Sequence, residues 1–367
     1  MRDAHNGLKR SATWIIGLIL MIALVTPVAA KRPGGGGVSH TAKQTPPIHL
    51  GTSGGWGNDL ANGYCCGGTL GSLIQINGVQ YILSNYHVFA SDIVLGGNSD
   101  VATEGDPIIQ PGLIDVGCNG SKAQVVGTLV AIRSLPDSNV DAAIAQVSPG
   151  MVRADGAILE IGTISAQPLG AYLGQLVKKS GRTTGLTWSS VSGLNATIST
   201  VYDNECAGGT AFTKAFTGQI VIKNRASKFL AGGDSGSLMV EDVTSNPGAV
   251  GLLYAGSSSV AIANPIDEVL NYFSATMVGV AGAQGAEVPV AEIEEAKKAQ
   301  ARHAARLERV PGGVGHGIGL GRSGQVVIKV YVEKDTPEVR AAVPDSVDGM
   351  PVEIEETGRI VPLSRCQ

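Results

Sequence analysis

Gly232-Gly233-Asp234-Ser235-Gly236-Ser237, followed by Leu238-Met239-Val240, is the stretch whose reading decides the fold. A serine hydroxyl is a poor nucleophile until a base takes its proton and fixed N–H groups hold the oxyanion that forms on attack. Glycines on both sides let the backbone turn sharply and expose such N–H groups. The apolar run that follows reads as a buried strand anchoring the loop. A Gly-rich turn alone has the same composition, so the rest of the constellation must come from elsewhere in the chain.

The candidate base is His87, just past the strand-like run Val79 to Leu83. The candidate orienting carboxylate is Asp141, at the mouth of the apolar run Ala142-Ala143-Ile144-Ala145. Asp137 lies in Leu135-Pro136-Asp137-Ser138-Asn139, which is turn chemistry, and is assigned a solvated role. An aspartate buried beside an imidazole fixes its tautomer and stabilises the imidazolium.

The order His87, Asp141, Ser235 resembles that of trypsin/chymotrypsin-like serine proteases, as does Cys66-Gly67-Gly68-Thr69-Leu70 ahead of the histidine. Ser180-Gly181-Arg182-Thr183-Thr184-Gly185 is similar to the SGRTTG segment of alpha-lytic protease and other bacterial secreted members. Two departures stand out. The family's GDSGG ends here in Ser237, and Val88 and Phe89 stand where a cysteine usually follows the histidine. The resemblance implies a mainly β fold, with two six-stranded barrels and the triad in the cleft between them. It implies peptide-bond hydrolysis, with the N–H groups of Gly233 and Ser235 as the oxyanion hole. It also implies that Arg182 pairs with a buried Asp234, in place of the freed N-terminus of a cut zymogen. The strand Gly251-Leu252-Leu253-Tyr254-Ala255-Gly256 would pair with substrate, with Leu230, Leu253, Tyr254 and Gly256 as substrate-binding residues. Tyr254 replaces a serine that supports the catalytic aspartate in the family, leaving that support unassigned. Phe229, Leu230, Leu253 and Ile262 are apolar pocket candidates, so a small or apolar side chain before the scissile bond is expected. The alternative is a gated or inactive binding protein on the same fold.

The chain has 367 residues, enough for two or three folded units. A net charge of −4 and the lack of a basic stripe give no support to nucleic-acid binding. With 51 glycines and 4% aromatics, the composition favours a turn-rich β protein. Lys9 and Arg10, the apolar run Trp14 to Val25 and Val28-Ala29-Ala30 have the layout of a secretory signal peptide over residues 1–30. Export to the cell envelope or beyond follows if it is cleaved, and a membrane anchor if it is not. Beyond it lie Cys65, Cys66, Cys118, Cys206 and Cys366, expected to pair after export, with an odd count leaving one free or linked to another chain. Their connectivity is not readable. No metal-ligand spacing is present and no cofactor is expected.

Residues 31–47 read as a Gly/Pro-rich linker, 48–277 as the protease-like unit of short strands, and 278–287 as a Gly/Ala-rich boundary. Residues 288–367 read as a small α+β domain: a helix over Ala291 to Arg309, a hairpin of Val314 to Leu320 with Val326 to Val332, a helix begun by Thr336-Pro337, and a strand over Val352 to Ile354. This module resembles ones that follow bacterial trypsin-like domains and, loosely, small α/β propeptides. It is expected to modulate the protease without supplying catalytic groups. Protein or peptide substrates are the expected partners.

Overall fold

Alternating short apolar runs and turn residues produce many short strands, together with two long ones, Gly185–Tyr202 and Phe212–Lys223, and the strands close on themselves. The computed structural model describes residues 39–61, 63–90, 102–130, 135, 138–202, 212–281, 291–363 and 365–366. The signal-peptide stretch, Asp137 and Cys206 lie outside the described residues.

In the first sheet the strand Ser72–Ile76 pairs with Val79–Ser84, followed in spatial order by Ala143–Val147, Gln124–Leu129, Pro107–Gln110, Thr52–Trp56 and Tyr64–Leu70. Only Gly71 separates Leu70 from Ser72, so the two ends of the series are one bent strand and the sheet is a six-stranded barrel. A Cβ at Gly71 would collide with the carbonyl oxygen of Gly236, which explains glycine at the bend where the serine loop crosses it. The second sheet runs Phe212–Lys223, Val260–Pro265, Ala249–Gly256, Leu238–Glu241, Leu176–Gly181 and Gly185–Tyr202. Gly185–Tyr202 pairs back onto Phe212–Lys223, from Val191↔Ile222 to Tyr202↔Phe212, which closes a second six-stranded barrel. Closure leaves few free strand edges. The fold is therefore mainly β, with two barrels of the chymotrypsin type. The helix Ile266–Phe273 follows the last barrel strand and buries Ile266, Val269 and Leu270.

Beyond it, the helix Ala291–Leu307 packs on the antiparallel pair Gly313–Leu320 and Val326–Val332, with Met350–Glu356 parallel to the latter. Thr336 caps the helix Pro337–Ala342 through its hydroxyl, which accepts from the Val339 N–H. The strand Gly313–Leu320 pairs with Gly185–Tyr202 at Gly193↔Gly319 and Leu194↔Ile318, so the module extends the sheet of the second barrel. Residues 39–47 lie against the first barrel, where the Gln44 side chain bridges the His49 carbonyl and the Thr52 hydroxyl.

Candidate active site

His87 and Asp141 both come from the first barrel. His87 lies in the short helix Tyr86–Phe89 that follows the strand Val79–Ser84, and Asp141 precedes Ala143–Val147, the strand paired with it. Nδ1 of His87 is 2.6 Å from Oδ2 of Asp141, and the His87 backbone N–H reaches Oδ1 at 3.3 Å. Asp141 is fully buried and His87 is nearly so. Asp141 is fixed from several directions. Its backbone N–H donates to the Asn264 side chain at 2.9 Å, and its backbone carbonyl accepts from the Asn85 side chain at 2.7 Å. The Tyr202 phenol donates to Oδ2 at 2.8 Å. Buried polar groups require such partners. Tyr202 fills the role left open by Tyr254: the supporting hydroxyl comes from the end of the long strand Gly185–Tyr202. No local sequence signal marks it. Burial and the nearby Asp141 charge push the Tyr86 phenol up to about 12, so it stays neutral beside the pair.

Ser235 stands in the loop before Leu238–Glu241 of the second barrel. Its carbonyl accepts from the Thr69 N–H at 2.8 Å, tying the loop to the first barrel. Gly233 has φ +95°, a conformation that favours glycine, and a Cβ there would lie 2.5 Å from the Thr183 hydroxyl. Ser237, the departure from GDSGG, donates its hydroxyl to the Asp234 carbonyl at 2.6 Å. It faces Gly181, whose missing side chain makes the room.

The expected Arg182–Asp234 pair is not what the structure contains. Arg182 reaches across to the first barrel and clasps Asp115 with two hydrogen bonds, 2.6 and 2.8 Å long. Asp234, fully buried, accepts from the N–H groups of Thr183 at 2.8 Å, Thr184 at 3.1 Å and Ala231 at 3.0 Å, and from the Thr184 hydroxyl at 2.7 Å. Its cation is Lys179, fully buried with Nζ 3.5 Å from Oδ2. Lys179 also donates to the Gly185 carbonyl at 2.9 Å and to the Thr184 hydroxyl. The SGRTTG segment thus holds Asp234 with its threonines, while the fork of its arginine matches a different carboxylate bidentately. Burial pulls the Lys179 ammonium below its usual range and the Asp234 charge opposes that.

Leu230, Leu253, Tyr254 and Gly256 are all buried. Phe229, Leu230 and Leu253 belong to one apolar cluster, and the Leu363 side chain packs against it. The strand Val361–Pro362 lies antiparallel on Ala249–Gly256, at Ala255↔Pro362 and Gly256↔Val361. The Leu363 N–H is 3.2 Å from the Tyr254 carbonyl and 3.1 Å from Ser235 Oγ, and its carbonyl accepts from the Gly233 N–H at 2.6 Å. Ser235 Oγ itself lies 3.2 Å from the Tyr254 carbonyl. On the far side, Arg365 and Cys366 pair with Gly67 and Cys66. Cys65 is bonded to Cys118, Cys66 is also disulfide-bonded, and among the described residues no cysteine is free. No cluster of three or more metal-ligating side chains occurs among the described residues.

No family model matches the chain, and no curated protein does. Among solved structures, it is similar to a glutamic acid-specific serine protease described as using a histidine triad in substrate binding, at 17% identity and a TM-score of 0.40, over 63% of this chain and 100% of that one. Protease A of Thermobifida fusca matches at 17% identity and a TM-score of 0.42, over 64% of this chain and 99% of that one. A chymotrypsin from Cellulomonas bogoriensis matches at 18% identity and a TM-score of 0.36, over 60% and 97% of the two chains.

Proposed function

We propose that this chain is an exported serine endopeptidase that cleaves peptide bonds with Ser235 as nucleophile, His87 as general base and then general acid, and Asp141 as the group that orients the imidazole. The observation that carries this reading is a peptide main chain lying against Ser235. At Leu363, one N–H faces the Tyr254 carbonyl and Ser235 Oγ while the carbonyl faces the Gly233 N–H. That is the arrangement an acyl-transfer site needs, with carbonyl, oxyanion donor and nucleophile meeting at one residue. The 2.6 Å contact of Asp141 with His87 suits the proton transfer, because it holds Nδ1 as the donor and leaves Nε2 as the basic nitrogen. Gly233 and Ser235 supply the oxyanion hole in this reading, and Leu230, Leu253, Tyr254 and Gly256 shape the substrate side. The Cys65–Cys118 disulfide supports an oxidising compartment. No described helix is long and apolar enough to cross a membrane. Residues 1–30 act as the export signal, 48–277 as the catalytic unit and 288–367 as a module that acts on it.

A second reading, a gated or idle protease fold, is favoured by the complete burial of Ser235 beneath Leu363. Labelling with a fluorophosphonate separates the two. An activated Ser235 takes the label in a time-dependent way, and Ser235→Ala takes none. Adding His87→Ala to Ser235→Ala costs little further hydrolysis, because triad members act as a unit. Absence of label from the wild type and from a Leu363→Asp variant overturns the enzymatic reading.

A further inference from the structure

We propose that the chain's own segment Val361-Pro362-Leu363 is bound as a substrate, that the site cuts the bond between Leu363 and Ser364, and that its specificity is for a leucine-sized aliphatic residue immediately before the cut. This rests on the serine endopeptidase reading above and adds to it a self-processing site and a substrate class.

Three independent contacts fix the register of the segment. Ladder pairing places Val361 opposite Gly256 and Pro362 opposite Ala255. The next residue, Leu363, has its N–H on the Tyr254 carbonyl and its own carbonyl 2.6 Å from the Gly233 N–H. The carbonyl presented to the oxyanion donor is therefore that of Leu363. The side chain agrees with the main chain. Leu363 packs on the cluster containing Phe229, Leu230 and Leu253, and its Cδ1 lies 3.2 Å from where a Cβ on Gly256 would be. The side chains of Phe229, Leu230 and Leu253 offer no partner to a carboxylate or ammonium seated against them.

The segment is held on both sides of the bond. Upstream, the Ile360 carbonyl accepts from the Val201 N–H at 3.0 Å, and the Thr357 carbonyl accepts from the Ser259 hydroxyl at 2.9 Å. Downstream, Arg365 and Cys366 pair with Gly67 and Cys66. A tether of this kind gives the occupant a millimolar-scale effective concentration at the site.

The reaction balances with water alone. Ser235 Oγ bonds to the Leu363 carbonyl carbon as its proton passes to His87. The carbon–nitrogen bond to Ser364 breaks as His87 protonates that nitrogen. Water then hydrolyses the Leu363 ester, restoring Ser235 and leaving a carboxylate on Leu363.

The test uses the full chain as wild type, Ser235→Ala and Leu363→Asp, together with a synthetic peptide of the sequence Ile-Val-Pro-Leu-Ser-Arg. Masses are read after reduction, because Cys66 is disulfide-bonded and Cys366 lies opposite it. Wild type should convert to a chain ending at Leu363, and both variants should keep their full mass. Leu363→Asp should take fluorophosphonate about tenfold faster than wild type, since the tethered occupant no longer competes. It should also cut the peptide between Leu and Ser, about 100-fold faster than the same peptide with Asp in place of Leu, the scale expected when a charge is forced into an apolar pocket. A wild type that takes the label yet stays intact at Leu363 overturns self-processing and leaves the enzymatic reading standing. Cleavage of the peptide elsewhere, or equal rates on both peptides, overturns the specificity. If neither wild type nor Leu363→Asp takes the label, the enzymatic reading fails and this inference falls with it.

Discussion

Tyr202 donates its phenolic O–H to Oδ2 of Asp141 across 2.8 Å, the same oxygen that sits 2.6 Å from Nδ1 of His87. The two residues belong to different barrels, so one hydrogen bond couples the register of the second barrel to the orientation of the His87 imidazole. Tyr202 also stacks on Phe212 and meets the His87 ring edge-on at 6.3 Å between centroids. Its hydroxyl acts on the imidazole through Asp141, which makes it a positioning residue.

Tyr202→Phe keeps the ring packing and removes one hydrogen bond to a charged group, an interaction of about 1.5–3 kcal/mol. Peptide hydrolysis should fall about tenfold to a hundredfold in kcat with KM nearly unchanged, because the proposed substrate position on Ala249–Gly256, where Val361–Pro362 pairs, does not depend on this hydroxyl. Steady-state kinetics on a short peptide check it. A rise in KM with kcat preserved would place Tyr202 in substrate binding instead.

The two buried ion pairs around the serine loop should differ in what they support. Lys179→Ala leaves Asp234 fully buried without its cation, a loss of about 3–5 kcal/mol for a broken buried pair. Since Asp234 directly precedes Ser235, fluorophosphonate labelling should fall as well. Arg182→Ala leaves Asp115 with the Ser53 hydroxyl, 2.5 Å away, and should cost less, about 2 kcal/mol, with labelling largely retained. Thermal unfolding and labelling rates on both variants decide this. Reversed effects would return Arg182 to the role that the sequence motif suggested.

That exchange of partners marks where sequence reading reaches its limit. His87, Asp141 and Ser235 stand out because each sits at the edge of an apolar run. The module after residue 288 was legible in its capping Thr336 and in the hairpin pattern ahead of it. Long-range side-chain pairing was not. Lys179 looks like one more lysine in Leu-Val-Lys-Lys-Ser, and its burial depends on the next strand, at Thr187, and on the distant strand Leu238–Glu241, at Met239, which pair on either side of it. Tyr202 and Leu363 are equally silent, being ordinary residues whose roles come only from barrel closure and from the path of the last strand across the cleft.

Gly233→Ala tests the proposed oxyanion hole without altering His87, Asp141 or Ser235. The new methyl would meet the Thr183 hydroxyl at 2.5 Å in a backbone conformation that L residues rarely adopt. The relief is a rotation of the peptide that carries the Gly233 N–H. Loss of one oxyanion donor costs about a hundredfold to a thousandfold in rate. The variant should remain folded by circular dichroism and lose that much in kcat. In the full chain it should also slow self-cleavage at Leu363, whose carbonyl accepts from this N–H.

His316 provides a test of how firmly the C-terminal module is docked. It is almost fully buried in the strand Gly313–Leu320, opposite Thr197 of the second barrel and Val330 of its own hairpin. The Gln300 amide lies 2.8 Å from Nδ1, and Glu308 Oε1 lies 3.8 Å from Nε2. Burial pulls the His316 pKa below its usual value of 6.5, and Glu308 opposes that without reversing it. A histidine whose folded pKa is lowered binds its proton first in the unfolded chain. Stability is therefore lost as pH falls from about 6.5 towards the lowered folded value, and the loss levels off below that value. His316→Gln removes this term and retains a hydrogen-bonding side chain beside Gln300. The difference in Tm between variant and wild type should therefore shift in favour of the variant between pH 7.5 and pH 5, whatever its sign at pH 7.5. Contributions common to both proteins cancel in the comparison. A difference that stays constant across this range would mean that His316 is not held neutral at the junction of the two sheets.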